Sequence, residues 1–214
     1  MYNADLSWFR DEAYWAFWDG FSVPQPAILE RKFNLIQLVQ SVRDLDGDTA
    51  ECGSYIGEGS YIILKGMEQS TSEKLHHIFD SFEGLSEPTD VDDVDNQAVY
   101  KWQKHDLSVS ENTVNKNLQD FPNKRLYKGW IPDRFDEVSG RRFCFVHIDV
   151  DLYEPTRDSV SFFYDKVTPG GMIVCDDYGF TTCPGARKAL DEFMADKPES
   201  IIHLTTGQGV IIKR

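Results

Sequence analysis

Glu51-Cys52-Gly53-Ser54-Tyr55-Ile56-Gly57-Glu58-Gly59-Ser60 follows a short apolar run, Thr49–Cys52, and leads into a helical pattern, Ser60–Met67. A strand that turns through glycines into a helix is the opening unit of a wound α/β sheet. The glycines let the backbone turn tightly and approach a ligand closely. Downstream, strand-like runs recur at His77–Asp80, Arg125–Lys128, Phe143–Asp149, Met172–Cys175, Ile201–Leu204 and Val210–Ile212. Helical patterns lie between them at Ser108–Asp120, Pro155–Asp165 and Gly185–Asp196. This alternation predicts a mostly parallel sheet with crossover helices. Only Thr205–Gly209 separates the last two strands, too little for a crossover, so they should form an antiparallel hairpin.

Upstream, Ala27 to about Leu45 has the spacing of a helix with one broad apolar face, through Ile28, Leu35, Leu38, Val42 and Leu45. Before it, Pro24 and Pro26 break the chain, and Asp5–Phe21 is crowded with Trp8, Phe9, Tyr14, Trp15, Phe17, Trp18 and Phe21. We therefore expect an aromatic N-terminal segment, 1–26, and one α/β domain, 27–214. Seven large rings exceed what one short helix should bury on its own domain. Self-association into a homo-oligomer, or a cover over a ligand pocket, is the expectation.

The glycine turn is not a GxGxxG dinucleotide fingerprint, because its glycines fall at 53, 57 and 59. An acid at the end of the first strand would face a pyrophosphate badly. It suits a ligand carrying an ammonium group, such as the methionine part of S-adenosylmethionine. Asp80 closes the second strand 21 residues beyond Gly59, near the spacing of about 20 for a carboxylate that takes ribose hydroxyls. The fourth strand closes on His147-Ile148-Asp149-Val150-Asp151 and the fifth on Cys175-Asp176-Asp177-Tyr178. Four carboxylates at two strand ends repel one another, and a hard divalent cation, magnesium above all, would relieve that repulsion. His147 reads as a core histidine, and Cys183 has no partner that suggests a nucleophile.

The 214 residues suit one domain, and 36 Asp+Glu against 22 Lys+Arg give a formal charge of −14. Such a surface repels nucleic acid and anionic lipid. No apolar run approaches the roughly 20 residues of a membrane span. Met1–Asp5 does not open like a secretory signal, and the four cysteines form no CxxC pair. A reduced, cytoplasmic protein acting on a small molecule is expected. The polar stretch Ser86–Gln103 reads as a long loop, a lid over a site. It fails as a calcium loop, because Val94 and Asp95 stand at its fifth and sixth positions.

These blocks, with Asp80-Ser81-Phe82-Glu83-Gly84-Leu85, Lys128-Gly129-Trp130 and Pro169-Gly170-Gly171, resemble the macrocin-O-methyltransferase family from about Leu29 to the C-terminus. The resemblance implies a Rossmann-like seven-stranded sheet with its last strand antiparallel, helices on both faces and an N-terminal helical extension. It implies S-adenosylmethionine-dependent, magnesium-assisted methylation of a hydroxyl, in sugars of antibiotics for the family. Carried onto this chain, Asp149, Asp176 and Asp177 hold the metal and Asp151 is the general base. Glu51, Gly53, Ser54, Tyr55, Gly57 and Ser60 seat the methionine part, Asp80 and Ser81 the ribose, and Trp130 flanks the cofactor. The catechol-type enzymes place a lysine base where Leu152 and Tyr153 stand here. A catechol-type phenol methyltransferase and an NAD-dependent sugar oxidoreductase are the alternatives.

Overall fold

The computed structural model describes residues 6–21, 29–93 and 101–214. The Pro24/Pro26 break, the 26/27 boundary, Val94 and Asp95 lie outside them. The seven strands are β1 (Asp48–Cys52), β2 (His76–Asp80), β3 (Lys124–Lys128), β4 (Phe143–Ile148), β5 (Val167–Cys175), β6 (Ile202–His203) and β7 (Gly209–Ile212). They form one sheet in the order β3-β2-β1-β4-β5-β7-β6. The strands from β3 to β5 pair in parallel, and β7 runs antiparallel to both β5 and β6. All seven expected strands are present, and the hairpin closes where the short Thr205–Gly209 turn requires it.

Among the described residues six α-helices accompany the sheet: α1 (Glu12–Ala16), α2 (Leu29–Val42), α3 (Glu58–Met67), α4 (Glu111–Asn117), α5 (Tyr153–Phe163) and α6 (Pro184–Met194). Val39, Ile62 and Val114, from α2, α3 and α4, belong to one buried cluster. Val160, Phe163 and Leu190, from α5 and α6, belong to the cluster on the opposite face. β4 runs through the centre with all six residues buried. That burial explains its unbroken apolar reading, as a strand covered on both faces needs no alternation. α4 is shorter than its pattern because Ser110 caps it, accepting from the Thr113 amide at 3.2 Å. α5 starts before Pro155, which is tolerated in a first turn where amides have no intrahelical partner.

The aromatic segment is packed on its own chain more fully than its composition led us to expect. Tyr14, Trp18 and Phe21 are buried, while Trp8, Phe9 and Phe17 are half-buried. Trp8 stacks on Phe33 of α2, with ring centroids 4.8 Å apart, and Trp18 stacks on Tyr61 of α3 at 6.0 Å. Tyr61 also donates from its hydroxyl to the Phe17 carbonyl at 3.0 Å. Trp15 alone of the seven is exposed. The premise that these rings need a second subunit is therefore corrected: α2 and α3 present enough apolar surface to take them. A homo-oligomer loses its main sequence argument, and sedimentation would decide it.

Candidate functional site

The order of strands reverses between β1 and β4. Open α/β sheets bind ligands at such a point, beyond the carboxyl ends of the strands. Here the β1 end carries the glycine turn and the β4 end carries Asp149 and Asp151. The two loops touch: a Cβ on Gly53 would come within 1.9 Å of the Asp149 carbonyl oxygen, so no other residue fits. Asp149 in turn donates its amide to the Cys52 carbonyl at 2.9 Å.

Two cavities open there. The first, about 200 Å³, is lined by Asp80, Ser81, Trp130, Ile131 and Pro155 among others. The second, about 340 Å³, is lined by Arg31, His147, Asp176, Asp177, Phe180 and Gln208 among others. They share Gly53, Tyr55, Leu107, Asp149 and Asp151, so they are two halves of one cleft.

In the first half Asp80 is fixed by short local bonds. Its Oδ2 accepts from the Ser54 amide at 2.7 Å and the Ser54 hydroxyl at 2.8 Å, and its Oδ1 accepts from the Phe82 amide at 2.7 Å. Each carboxylate oxygen can take further donors, so the group is oriented yet still open to a ligand's hydroxyls. Ser81 lines the same cavity, and its hydroxyl donates to the Gly84 carbonyl at 3.1 Å. Trp130 and Ile131 supply an apolar wall.

The second half is acidic. The Asp151 amide donates to Asp177 Oδ2 at 3.0 Å, and carboxylate oxygens of the two residues lie within 4.8 Å of each other. Burial, with Asp149 alongside, pushes the Asp151 carboxyl up to about 7. Burial, with Asp151 and then Asp149 nearby, raises Asp177 well above the usual carboxylate range. Asp151 also takes a left-handed backbone conformation, φ 59°, uncommon for a residue with a Cβ. Strain of this kind concentrates at functional sites. The Cys183 thiol donates to Asp151 Oδ1 at 3.5 Å.

Glu51 does not line either half. It is 1% exposed, with one oxygen taken by the Ser60 hydroxyl and the other 2.9 Å from His147 Nδ1. Gly59 exists for this pair: a Cβ there would sit 2.0 Å from Glu51 Oε1. Ser60 and Gly57 likewise stay out of the lining, the first buried against Glu51, the second at the N-terminus of α3 with φ 87°. Of the residues read from sequence, Gly53, Tyr55, Asp80, Ser81, Trp130, Asp149, Asp151, Asp176 and Asp177 converge on the cleft. Ser54 acts on it through Asp80.

The residues present fit a divalent cation. His147 Nε2 is buried without a hydrogen-bond partner and lies 3.4 Å from Asp176 Oδ1. Ligand atoms of His147, Asp149 and Asp176 all fall within 4.8 Å of one another. Asp177, the third expected ligand, groups instead with Asp151 and Cys183, and two carboxylates beside an imidazole suit a divalent cation. Burial of the Glu51–His147 pair makes the histidine one-sided, where the sequence suggested a fully satisfied core residue.

Sequence reasoning missed Arg31, Gln208 and Trp102. Gln208 donates to Asp176 Oδ1 at 2.8 Å from the β6–β7 turn, and Arg31 reaches Asp176 and Asp177 from α2. Trp102 donates from its indole to the Thr182 carbonyl at 3.0 Å, pinning one end of the Ser86–Gln103 loop. Asp92, in the first half of that loop, accepts from the Tyr153 amide at 2.7 Å and so caps α5 from outside the helix. Only the apolar half of this was signalled, by an isolated tryptophan in a polar loop.

A family model described as macrocin-O-methyltransferase (TylF) matches residues 29–205. The demethyldecarbamoylnovobiocin O-methyltransferase of Streptomyces niveus is 27% identical over 176 residues, 78% of this chain and 66% of that protein. The mycinamicin III 3''-O-methyltransferase of Micromonospora griseorubida is 28% identical over 176 residues, 77% of this chain and 68% of its own length. The chain thus spans about two thirds of the length of these relatives. Among solved structures, the O-methyltransferase NovP superposes with a TM-score of 0.70 at 25% identity, covering 86% of this chain and 80% of that one. CalS11, a calicheamicin methyltransferase, gives a TM-score of 0.72 at 15% identity, with 94% and 90% covered, a likeness of fold.

Proposed function

Since the chain belongs to the macrocin-O-methyltransferase family, we propose that it transfers a methyl group from S-adenosylmethionine to a hydroxyl of a small molecule, a sugar or sugar-bearing metabolite. The observation that carries this reading is the two-part cleft, whose halves meet at Asp149 and Asp151. One half has the features of a nucleoside seat, the other those of a site that activates a hydroxyl.

Asp80 accepts the ribose hydroxyls, held in place by Ser54 and Phe82. Ser81 stands beside it, and Trp130 covers the adenine side. The Gly53–Tyr55 turn lets the methionine part cross from one half to the other. Glu51 acts from beneath, orienting His147. A divalent cation such as magnesium, held by Asp149, Asp176 and Asp177, would supply a Lewis acid that lowers the pKa of the acceptor hydroxyl. Asp151 accepts the hydroxyl proton on a carboxylate oxygen, and its raised affinity for a proton suits that role near neutrality. The acceptor oxygen bonds to the methyl carbon as the carbon–sulfur bond breaks, and S-adenosylhomocysteine leaves. Phe180 and Trp102, lining the acidic half, form acceptor walls.

No described helix is long and apolar enough to cross a membrane. The enzyme is cytoplasmic and part of secondary metabolism, with 27–214 its catalytic domain and 1–26 an N-terminal segment whose Tyr14, Trp18 and Phe21 join that domain's core. Calorimetry with S-adenosylhomocysteine and NAD, then transfer of labelled methyl to a panel of glycosides, tests it. Binding of S-adenosylhomocysteine but not NAD, with label in a glycoside, is expected. No binding of S-adenosylhomocysteine would sink the reading.

A further inference from the structure

Arg31 lies near the start of α2, distant in sequence from the acids it meets. Its guanidinium pairs with the Asp176 carboxylate, stands 3.2 Å from the Asp176 carbonyl oxygen and 3.7 Å from Asp177 Oδ1. The side chain is 11% exposed, and its guanidinium carbon sits 4.4 Å over the Phe180 ring centroid. Gln208 tightens the arrangement, because its amide nitrogen lies 3.3 Å from the Arg31 carbonyl and 2.8 Å from Asp176 Oδ1. The next residue, Lys32, is directed elsewhere, to Glu58 at 2.8 Å.

Both oxygens of Asp176 are therefore engaged, one by Arg31 and the other by Gln208. On the far side, buried His147 Nε2 lacks a hydrogen-bond partner. A positive body belongs between these groups, and Arg31 meets that demand from one side only. A guanidinium and a divalent cation cannot both sit close to the same two carboxylates without strong mutual repulsion in a poorly solvated site. An arginine stacked on an aromatic ring is held well as a counter-charge, and it can leave without losing its own charge.

We propose that Arg31 is the interim counter-ion of Asp176 and Asp177: it holds the pair when no divalent cation is bound and is displaced when one binds. Arg31 thereby sets cation affinity and couples the seating of α2 to cation occupancy. This rests on the reading above, in which Asp149, Asp176 and Asp177 hold the cation. The coupling is reciprocal, so whatever the ion pair contributes in the cation-free protein is subtracted from cation binding.

Titration of the purified protein with Mn2+, followed by the electron paramagnetic resonance of the free ion, tests the proposal without any turnover. Arg31→Gln should bind Mn2+ about 10- to 100-fold more tightly than the natural chain, within the span of ordinary coupling free energies. A residue with a merely structural role would loosen the site when removed. Arg31→Lys, which keeps the charge but loses the planar fork, should fall between the two and serves if Arg31→Gln does not fold. Lys32→Gln removes a neighbouring charge that Glu58 at 2.8 Å already neutralises, and should change affinity by less than about fivefold. The melting temperature should drop in metal-free Arg31→Gln and recover with saturating Mn2+, giving a larger cation-induced shift than in the natural chain.

Equal or weaker Mn2+ binding in Arg31→Gln and Arg31→Lys overturns the proposal and leaves the metal reading standing. Equal tightening by Arg31→Gln and Lys32→Gln overturns it too, in favour of a general field effect. Failure of every chain, natural and variant, to bind Mn2+ defeats the metal reading and this inference with it.

Discussion

The two halves of the cleft are built on opposite principles. In the half around Ser81 and Trp130, Asp80 is satisfied by residues within two positions of it or on the adjoining turn. In the acidic half, Asp149, Asp151, Asp176 and Asp177 converge from two strand ends, and their relief comes from afar, through Arg31 on α2 and Gln208 on the final hairpin. The first half is held by its own local hydrogen bonds. The second holds charges that repel, and a repelling set is where binding and proton transfer can do chemical work. Most of the affinity for the methyl donor, through its nucleoside part, should therefore reside in one half and the chemical step in the other.

The separation can be broken most decisively at Asp151. Asp151→Asn should lower the rate of methyl transfer by about 10²–10⁴-fold, the usual contribution of a general base. Its affinity for S-adenosylhomocysteine should stay close to that of the natural chain. Single-turnover kinetics beside calorimetry would show this, and a parallel loss of affinity would merge the two halves.

Asp80→Ala is the converse, with a smaller effect. Losing hydrogen bonds from ribose hydroxyls to a charged acceptor costs about 1.5–3 kcal/mol, so S-adenosylhomocysteine should bind roughly 10- to 150-fold more weakly. Asp177→Asn, in the other half, should leave that affinity within about threefold, since distant sites act nearly independently. Equal losses in the two variants would mean the donor is gripped by the acidic half as well.

How much of this the sequence revealed follows the same division. The strands and their hairpin were legible because β4 and its neighbours are continuous apolar runs, and because five residues are too few for a crossover. Gly53 and Asp80 were legible because their spacing along one βαβ unit is local. The grouping of Asp149 with Asp176 was legible because adjacent parallel strands must end side by side. Arg31 and Gln208 were not, since their partners lie 145 and 32 residues away and no periodicity links them. Glu51 was legible as an acid at a strand end. Its direction was not, because the space beneath it depends on the missing Cβ of Gly59. The aromatic segment misled for a related reason: counting rings cannot say how much surface α2 and α3 leave uncovered.

The smallest expected effect concerns the floor shared by both halves. A buried chain of polar groups runs beneath the cleft: Thr49 Oγ1 to His76 Nδ1 at 2.8 Å, His76 Nε2 to Ser60 Oγ at 3.0 Å, then Ser60 to Glu51 and Glu51 to His147. Burial, with the imidazoles of His77 and His147 close by, lowers the His76 imidazole to about 3. An unfolded histidine titrates near 6.5, so between about pH 6.5 and pH 3 the unfolded chain carries a proton that the folded chain refuses. The state that binds more protons gains as pH falls, and here that state is the unfolded one. The stability owed to neutral His76 is therefore complete above about pH 6.5 and declines below it by up to about 1.4 kcal/mol per pH unit. His76→Asn removes the titration together with part of the bridge. It should be less stable at pH 7.5, by about 1–3 kcal/mol for a broken buried hydrogen bond. Its urea midpoint should then fall less steeply than that of the natural chain between pH 6.5 and pH 5, above the range where most carboxylates take up protons. Parallel curves would show that His76 becomes charged inside the fold, with the Ser60–Glu51 pair adjusting to receive it.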